Sequence, residues 1–247
     1  MATFKTRISQ ISKKNGKVIL ANDYDLSVGN LEAKTIQNIK QLHPYLCGIK
    51  LNFHLLLPLS SKEISRINKT AHRYGLQTIA DIKLNDIGNT NTVATEHLWN
   101  VGFDAVIVNP IMGLDSLKKL VKSCHKESKG VITLCHMSAP EAKLSYDMEV
   151  KIGKSQQLYQ LFLDWAIASK SDGIVVGATF PKIIRYCSKK AGKTLNIFSP
   201  GVGIQGGSAK EIISSGTDYL IVGRTIIDDK NPVKIAKDLQ LQSLGKK

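Results

Sequence analysis

Eight short runs of β-branched and apolar residues recur along the chain, separated by stretches with helical periodicity. Most runs start about 22 to 31 residues apart, with one wider gap before the sixth, which is about the length of a strand, a loop and a crossover helix. Eight such units within 247 residues predict a (β/α)8 barrel. The runs are Val18–Ala21, Cys47–Leu51, Thr78–Ile82, Ala105–Val108, Val131–Leu134, Gly173–Val176, Leu195–Phe198 and Tyr219–Val222.

The alternative α/β architecture, an open doubly wound sheet, usually carries a glycine-rich phosphate motif after its first strand. Here the first run ends in Asn22-Asp23-Tyr24-Asp25, which contains no glycine. No Pro/Gly/Ser linker and no change of composition marks a domain boundary. We therefore expect an α/β protein with one TIM-barrel domain over residues 1–247, loosely held at about 1–15 and 240–247.

Composition narrows the class of protein. Hydrophobic residues make up 43% of the chain and charged residues 22%, as in ordinary globular proteins. No apolar run reaches the roughly 18 residues of a membrane span, and the basic N-terminus lacks the apolar core of a signal peptide. The four cysteines form no C-x-x-C pair, and the six histidines form no ligand pattern, so we expect reduced thiols, no metal site and a cytoplasmic protein.

The formal net charge of +14 favours anionic partners. Only five arginines are present, they are scattered, and no basic helix or aromatic-interleaved basic segment accompanies them. We expect no nucleic-acid partner and no membrane partner. A positive field would instead speed the encounter with a polyanionic small molecule.

Charged residues follow the first three predicted strands, at the end of the barrel where functional groups lie. Side chains alternate along a strand, so Asp81 and Lys83 share the inward face, and Lys50 points inward between Ile49 and Leu51. A single Asp/Lys pair could be a buried salt bridge that fixes the register of the barrel strands. Buried pairs stabilise poorly, however, and four charges converging at one mouth favour a catalytic relay. The four are Lys50, Asp81, Lys83 and Asp86.

A second group of residues follows the last two strands. The segment Ser199–Gly207 is rich in glycine, and Val222-Gly223-Arg224-Thr225 follows the eighth strand. The loops after strands 7 and 8 are the usual phosphate cradle of this fold, because glycines let backbone N–H groups approach an anion. Arg224 would add a bidentate clamp. Taken alone, the glycine-rich segment could be a flexible turn, and Arg224 could be a surface arginine. Their occurrence after adjacent strands favours a phosphate site.

The segment Asp81–Asn91 is similar to the D-x-K-x-x-D-I-x-x-T-N motif of the orotidine 5'-phosphate decarboxylase family, in its compact microbial and archaeal form. Further elements occur in the family's order, and the resemblance spans about Val18 to Ile227. They are Leu20–Asp23, Ile49-Lys50, Met137–Pro140, Val175–Thr179, Ser199–Gly207 and Ile221–Arg224.

The resemblance implies a cofactor-free homodimer that converts orotidine 5'-monophosphate to UMP and carbon dioxide in pyrimidine biosynthesis. It implies that Lys83 delivers a proton to C6 of the pyrimidine and that Asp81 lies beside the substrate carboxylate. Asp23 and Lys50 would bind the ribose hydroxyls, with Lys50 also linked to Asp81.

The remaining implied contacts belong to the base, the phosphate and the dimer. Ser138 would bind the pyrimidine, and Gln205 and Arg224 the phosphate. Asp86, Ile87 and Thr90 would reach the site of the partner chain. Pro200 and Gly223 complete the implied substrate-binding set.

This sequence departs from the family's pattern at three places. Gly88 stands where many members have proline, Glu141 follows Pro140 where a glycine is frequent, and Asn109 replaces a frequent histidine. None of these departures removes a charged residue of the relay.

Two other functions stay open from the residues. A magnesium-dependent sugar-phosphate lyase of the same suprafamily, a hexulose-phosphate synthase or ketogulonate-phosphate decarboxylase, would need an extra acidic ligand near the first three strands. A barrel that only binds a nucleotide would not need Lys83.

Overall fold

The computed structural model describes residues 2–24 and 27–246, and its centre is a closed parallel barrel. The eight barrel strands follow chain order around it, and the last, Tyr219–Val222, pairs with the first, Val18–Ala21. Each predicted strand is present, so the (β/α)8 barrel is confirmed. The strands are β1 (Val18–Ala21), β2 (Gly48–Asn52), β3 (Gln77–Leu84), β4 (Ala105–Val108), β5 (Gly130–His136), β6 (Glu149–Ile152), β7 (Lys154–Gln157), β8 (Gly173–Val176), β9 (Asn196–Pro200) and β10 (Tyr219–Val222).

Helices surround the barrel and turn their apolar stripes inward. On one of them, Leu117, Leu120 and Val121 are buried while the lysines between them are exposed, as their spacing predicts. The helices are α1 (Phe4–Asn15), α2 (Leu31–Leu42), α3 (Phe53–Leu56), α4 (Ser61–Arg73), α5 (Gly88–Asn100), α6 (Leu114–Lys126), α7 (Ala142–Ser145), α8 (Leu158–Ser169), α9 (Pro181–Ala191), α10 (Ala209–Ser214), α11 (Arg224–Ile227) and α12 (Pro232–Ser243). Short 3₁₀ turns lie at His43–Tyr45 and Pro110–Met112. Across the described ranges, no helix combines the length and apolar character that crossing a membrane requires.

The N-terminal segment differs from the expectation of a loosely held end. Helix α1 packs on the barrel, with Phe4 and Ile8 buried four residues apart on one face. Arg7 on this helix forms an ion pair with Asp104 at 3.2 Å. At the other end, α12 continues to Ser243, while residues 1 and 247 lie outside the described part.

At the amino-terminal end of the barrel, three aspartates connect neighbouring strands by the same kind of hydrogen bond. Each stands just before a strand and accepts a hydrogen bond from a backbone N–H of the neighbouring strand, at 2.8 to 2.9 Å. Two of them also bind a histidine from a helix, at 2.8 and 2.9 Å. Asp104 bonds Thr78 and His72, Asp172 bonds Val131 and His125, and Asp218 bonds Ile197.

A small antiparallel hairpin, β6–β7, stands outside the barrel between β5 and α8. It occupies the wider gap that precedes the sixth predicted strand. Its first strand alternates polar and apolar residues over only four positions, and its second strand has no apolar residue, so the sequence gives only a weak strand signal. The hairpin places extra chain after β5, on the side of the barrel mouth.

Candidate active site

A cavity of about 570 Å³ opens at the carboxyl ends of the barrel strands. Its size lies within the range of small-molecule sites. Apolar side chains from the strands form part of its wall, including Ile107, Leu134 and Val175. It is also lined by nine of the predicted site residues: Asp23, Lys50, Asp81, Lys83, Ser138, Pro200, Gln205, Gly223 and Arg224.

Acidic and basic side chains alternate in a chain along one wall of this cavity. Lys50 Nζ lies 3.3 Å from Asp23 Oδ1 and 3.0 Å from Asp81 Oδ2. The other oxygen of Asp81 accepts a hydrogen bond from Lys83 Nζ at 2.8 Å. Asp23 follows β1, and the neighbouring strands β2 and β3 supply the other groups, so the barrel register itself brings the charges together.

Burial makes this cluster sensitive to the loss of any member. The side chains of Lys50 and Asp81 are 4% and 9% exposed, whereas Lys83 is 40% exposed and is the outermost cation. Burial by itself raises the pKa of Asp81, but the ammonium groups of Lys50 and Lys83 outweigh it, so the pKa lies below its usual range. Asp81 therefore stays ionised and holds both lysines.

Lys83 reaches the cavity through an irregularity in its strand. The β3–β4 register shifts between Ala80 and Leu84, and Lys83 has a φ of +47°, in the left-handed region. A non-glycine residue adopts this conformation only where the surroundings impose it, and such residues cluster at functional sites. Simple alternation predicted the correct wall for Lys83, but the bulge sets its direction.

Asp86, Ile87 and Thr90 lie outside the cavity of their own chain. The Asp86 carboxylate accepts a hydrogen bond from the Ile87 backbone N–H at 2.7 Å, and Ile87 is 62% exposed. The expected convergence of four charges therefore does not occur within one chain, because the backbone turns away after β3. Gly88, which begins α5, has a φ of +51°.

The glycine-rich segment faces the charge cluster from the opposite side of the mouth. Thr225 holds it in place, since its hydroxyl donates to the Val202 carbonyl at 2.8 Å and accepts from the Ile204 N–H at 3.2 Å. Arg224 is exposed at the cavity and, across residues 2–24 and 27–246, its guanidinium has no protein partner. The segment and Arg224 together can receive an anion.

Sequence reasoning missed several residues that line the cavity: Tyr24, Asn52, His54 and Thr225. Asn52 could have been found, because it stands two residues after Lys50 on the same face of β2. Its Oδ1 atom is buried and lacks a hydrogen-bond partner in the described chain. Asn109, one of the departures, caps the following 3₁₀ turn by accepting from the Ile111 N–H.

Fold and site together define a (β/α)8-barrel enzyme whose mouth combines an acid–base cluster with a glycine loop suited to an anion. A family model agrees over residues 16–239. The chain belongs to the orotidine 5'-phosphate decarboxylase / HUMPS family.

Individual relatives are similar to this chain over most of their length. The orotidine 5'-phosphate decarboxylase of Pyrococcus furiosus is 32% identical over 83% of this chain and 90% of its own. That of Methanosarcina mazei is 31% identical over 95% and 100%. The crystal structure of the Methanocaldococcus jannaschii enzyme with the inhibitor BMP has a TM-score of 0.76 at 29% identity, covering 92% of this chain and 97% of that one.

Proposed function

We propose that this protein decarboxylates orotidine 5'-monophosphate to UMP and carbon dioxide in pyrimidine biosynthesis. The Lys50–Asp81–Lys83 chain carries the proposal, because it presents an ammonium group held by a buried carboxylate to the interior of the cavity. The similar proteins named above as orotidine 5'-phosphate decarboxylases support it.

The reaction breaks the bond between C6 and the carboxylate, and its electron pair stays on C6. The resulting carbanion is not delocalised by the ring, so the protein must supply the stabilising charge. Lys83 provides that charge and then donates its proton to C6 as a general acid. Asp81 holds and orients the Lys83 ammonium group, and its proximity to the substrate carboxylate adds a smaller destabilisation of the ground state.

The other cavity residues bind parts of the substrate distant from C6. Asp23 and Lys50 bind the ribose hydroxyls, and Ser138 the pyrimidine. Gln205 and Arg224 bind the phosphate, with Pro200 and Gly223 shaping the subsite. Binding energy from the phosphate accelerates the reaction by ordering the glycine loop and excluding water.

The test is the absorbance of the pyrimidine after addition of orotidine 5'-monophosphate, with and without chelator. We expect turnover that chelator leaves unchanged. In the described part of the chain no group of three or more His, Cys, Asp and Glu is placed to hold a metal, but metal independence itself stays a prediction. Loss of turnover in chelator would contradict metal independence. Absence of turnover without chelator would refute the proposed reaction: absence of binding as well would favour the magnesium-dependent sugar-phosphate lyase, and binding alone would favour a nucleotide-binding barrel.

Replacing Lys83 separates catalysis from structure. Lys83→Ala removes general-acid and electrostatic assistance, worth roughly 10²–10⁴ and 10²–10³ in rate, so we expect a loss of at least about 10⁴ with folding retained. Circular dichroism is the control for folding. A loss smaller than about tenfold would mean that Lys83 serves structure alone.

We also propose that the protein is a cytoplasmic homodimer with shared sites. Exposed apolar residues flank the mouth after β2, β3 and β4, on the same side as Asp86, and such a patch suits a second copy of the chain. Four buried free cysteines agree with a reducing compartment. The patch consists of Phe53, Leu57, Ile87, Val93 and Ile111.

Subunit complementation tests whether Asp86, with Ile87 and Thr90, serves the partner's site. Lys83→Ala and Asp86→Ala chains, each inactive, are unfolded and refolded together. If the site is shared, one site of each mixed dimer has both residues, and about a quarter of wild-type activity returns under two-fold symmetry. No recovery, with subunit exchange confirmed by mass, would place both residues in one chain's site.

A further inference from the structure

A completely buried histidine ends β5, just outside the cavity. His136 is 0% exposed, and its ring packs against Phe180, Tyr146 and Tyr159 at centroid distances of 4.3, 5.5 and 5.9 Å. It precedes Met137 and Ser138, both of which line the cavity. Buried polar side chains are normally hydrogen-bonded, so the partners of this ring indicate what it does.

The first ring nitrogen holds a backbone carbonyl. Nδ1 of His136 lies 2.8 Å from the Met137 carbonyl oxygen, and a carbonyl only accepts, so Nδ1 carries the proton. Nε2 lies 3.4 Å from Asp147 Oδ1, and neither atom has a hydrogen-bond partner in the described chain. Burial lowers the pKa of His136 despite the nearby Asp147 carboxylate, which leaves the ring neutral at pH 7.

The titratable groups that face the ring come from three elements. Asp147 and Tyr146 belong to the segment between α7 and β6, and Tyr159 to α8, while Cys135 is the neighbouring residue of β5 itself. Burial raises the pKa of Tyr146 and of Tyr159 to about 12 and also raises that of Cys135, so all three are neutral at pH 7. Asp147 is the acidic side chain that approaches the His136 ring within the described residues, at 3.4 Å.

Three successive carbonyls at the end of β5 are each held by a different donor. The Gly177 N–H bonds the His136 carbonyl at 3.0 Å, the His136 ring bonds the Met137 carbonyl, and the Thr179 hydroxyl bonds the Ser138 carbonyl at 2.8 Å. A Cβ on Gly177 would lie 2.4 Å from the Ser138 Cα, so only glycine allows this approach. The backbone that carries the Ser138 hydroxyl is therefore fixed before a ligand arrives.

We infer that His136 is a positioning residue for the pyrimidine subsite: its ring fixes the Met137 carbonyl and thereby the Ser138 hydroxyl. The inference rests on the proposed function, in which Ser138 binds the base. A group that acts by orientation need not touch the substrate, and small losses of orientation reduce rate and affinity.

Two variants separate the hydrogen bond from the volume of the ring. His136→Leu removes both nitrogens, whereas His136→Asn keeps an N–H near the position of Nδ1. One hydrogen bond contributes about 2- to 12-fold, so we expect His136→Leu to lower kcat/KM for orotidine 5'-monophosphate by that factor and His136→Asn to recover most of it. The loss should fall on KM, since the base is bound before and during the reaction. His125→Leu, at the opposite end of the barrel, is the matched control and should leave kcat/KM unchanged.

A double-mutant cycle with Ser138→Ala decides between positioning and general support. If His136 acts through Ser138, His136→Leu should reduce kcat/KM less than about 2-fold further in the Ser138→Ala background. An equal loss in both backgrounds would overturn the inference. No turnover by the wild type would instead refute the proposed function, and the two failures are thereby distinct.

A measurement on the wild-type protein covers the case in which His136→Leu fails to fold. The ¹⁵N chemical shifts of the His136 ring at pH 7 should show a protonated Nδ1 and an unprotonated Nε2 without any ligand. A ring protonated on Nε2 alone would remove the bond to Met137 and would overturn the inference.

Discussion

Asp81→Asn is the most direct probe of the charge cluster. The substitution keeps the volume of the side chain and removes the only carboxylate that lies between Lys50 and Lys83 in the described structure. Lys50, 4% exposed, then retains only Asp23 at 3.3 Å, and the Asp23 side chain is 31% exposed. The buried charge of Lys50 is then compensated only by this more exposed carboxylate.

The magnitude follows from that burial. Removing one partner of a buried ion pair destabilises a protein by about 3–5 kcal/mol. A domain of this size loses about 2–4 °C of Tm per kcal/mol, so we expect a decrease of roughly 6–20 °C at pH 7. Thermal unfolding followed by circular dichroism, at fixed protein concentration, measures it. Asp238→Asn, on the exposed face of α12, is the control and should stay within about 0.5 kcal/mol of wild type.

The pH dependence provides a second check on the same variant. The pKa of Asp81 is lowered in the folded protein, so its contribution to stability is present above the ordinary aspartate pKa of about 4 and is lost as pH falls through the folded pKa. The difference in Tm between wild type and variant should therefore narrow in acid. An Asp81→Asn protein as stable as wild type at pH 7 would refute the electrostatic reasoning.

Three further predictions concern other parts of the molecule. Arg224→Ala should raise KM for orotidine 5'-monophosphate but have little effect with orotidine, which lacks the phosphate; steady-state kinetics on both substrates measures this, and equal losses would reject the phosphate assignment. The pKa of His125 is raised, chiefly by its hydrogen bond to Asp172, so this contribution to stability is complete below the ordinary histidine pKa of about 6.5 and is lost as pH rises through the folded pKa. His125→Leu should flatten the dependence of Tm on pH above about 6.5, and an unchanged slope would argue against this ion pair. Finally, because of the +14 charge, the rate of substrate association should fall as the salt concentration rises. Stopped-flow association rates that do not change with ionic strength would contradict electrostatic steering.

The barrel could be predicted because its strands are buried on both faces and read as unbroken β-branched runs such as Ala105–Val108. The packing of α1 could not be predicted, because its apolar stripe has only a few residues, Phe4 and Ile8 among them, and lysines occur between and after them. The hairpin Glu149–Gln157 has only Val150 and Ile152 as apolar residues, and Ile152 is exposed, so its pattern is too short to predict a strand.

The candidate site also contains residues that the sequence could place and residues that it could not. Period-two alternation along β2 and β3 was enough to place Lys50 and Asp81 at the mouth, because the barrel fixes strand direction and register. The bulge that aims Lys83 depends on tertiary contacts with β4, and no local pattern in Asp81–Asp86 indicates it. His136 resembled any satisfied core histidine, since its role depends on a hydrogen bond to the Met137 backbone carbonyl, which no sequence pattern indicates.

The backbone at Gly88 decides which side chains this position accepts. Its φ of +51° lies far from the value near −65° that a proline ring imposes, although a Cβ there would meet no atom within 4 Å. A Gly88→Pro substitution therefore requires the surrounding backbone to rotate into another conformation. At this position the dihedral angle, and not the available volume, limits the choice of residue.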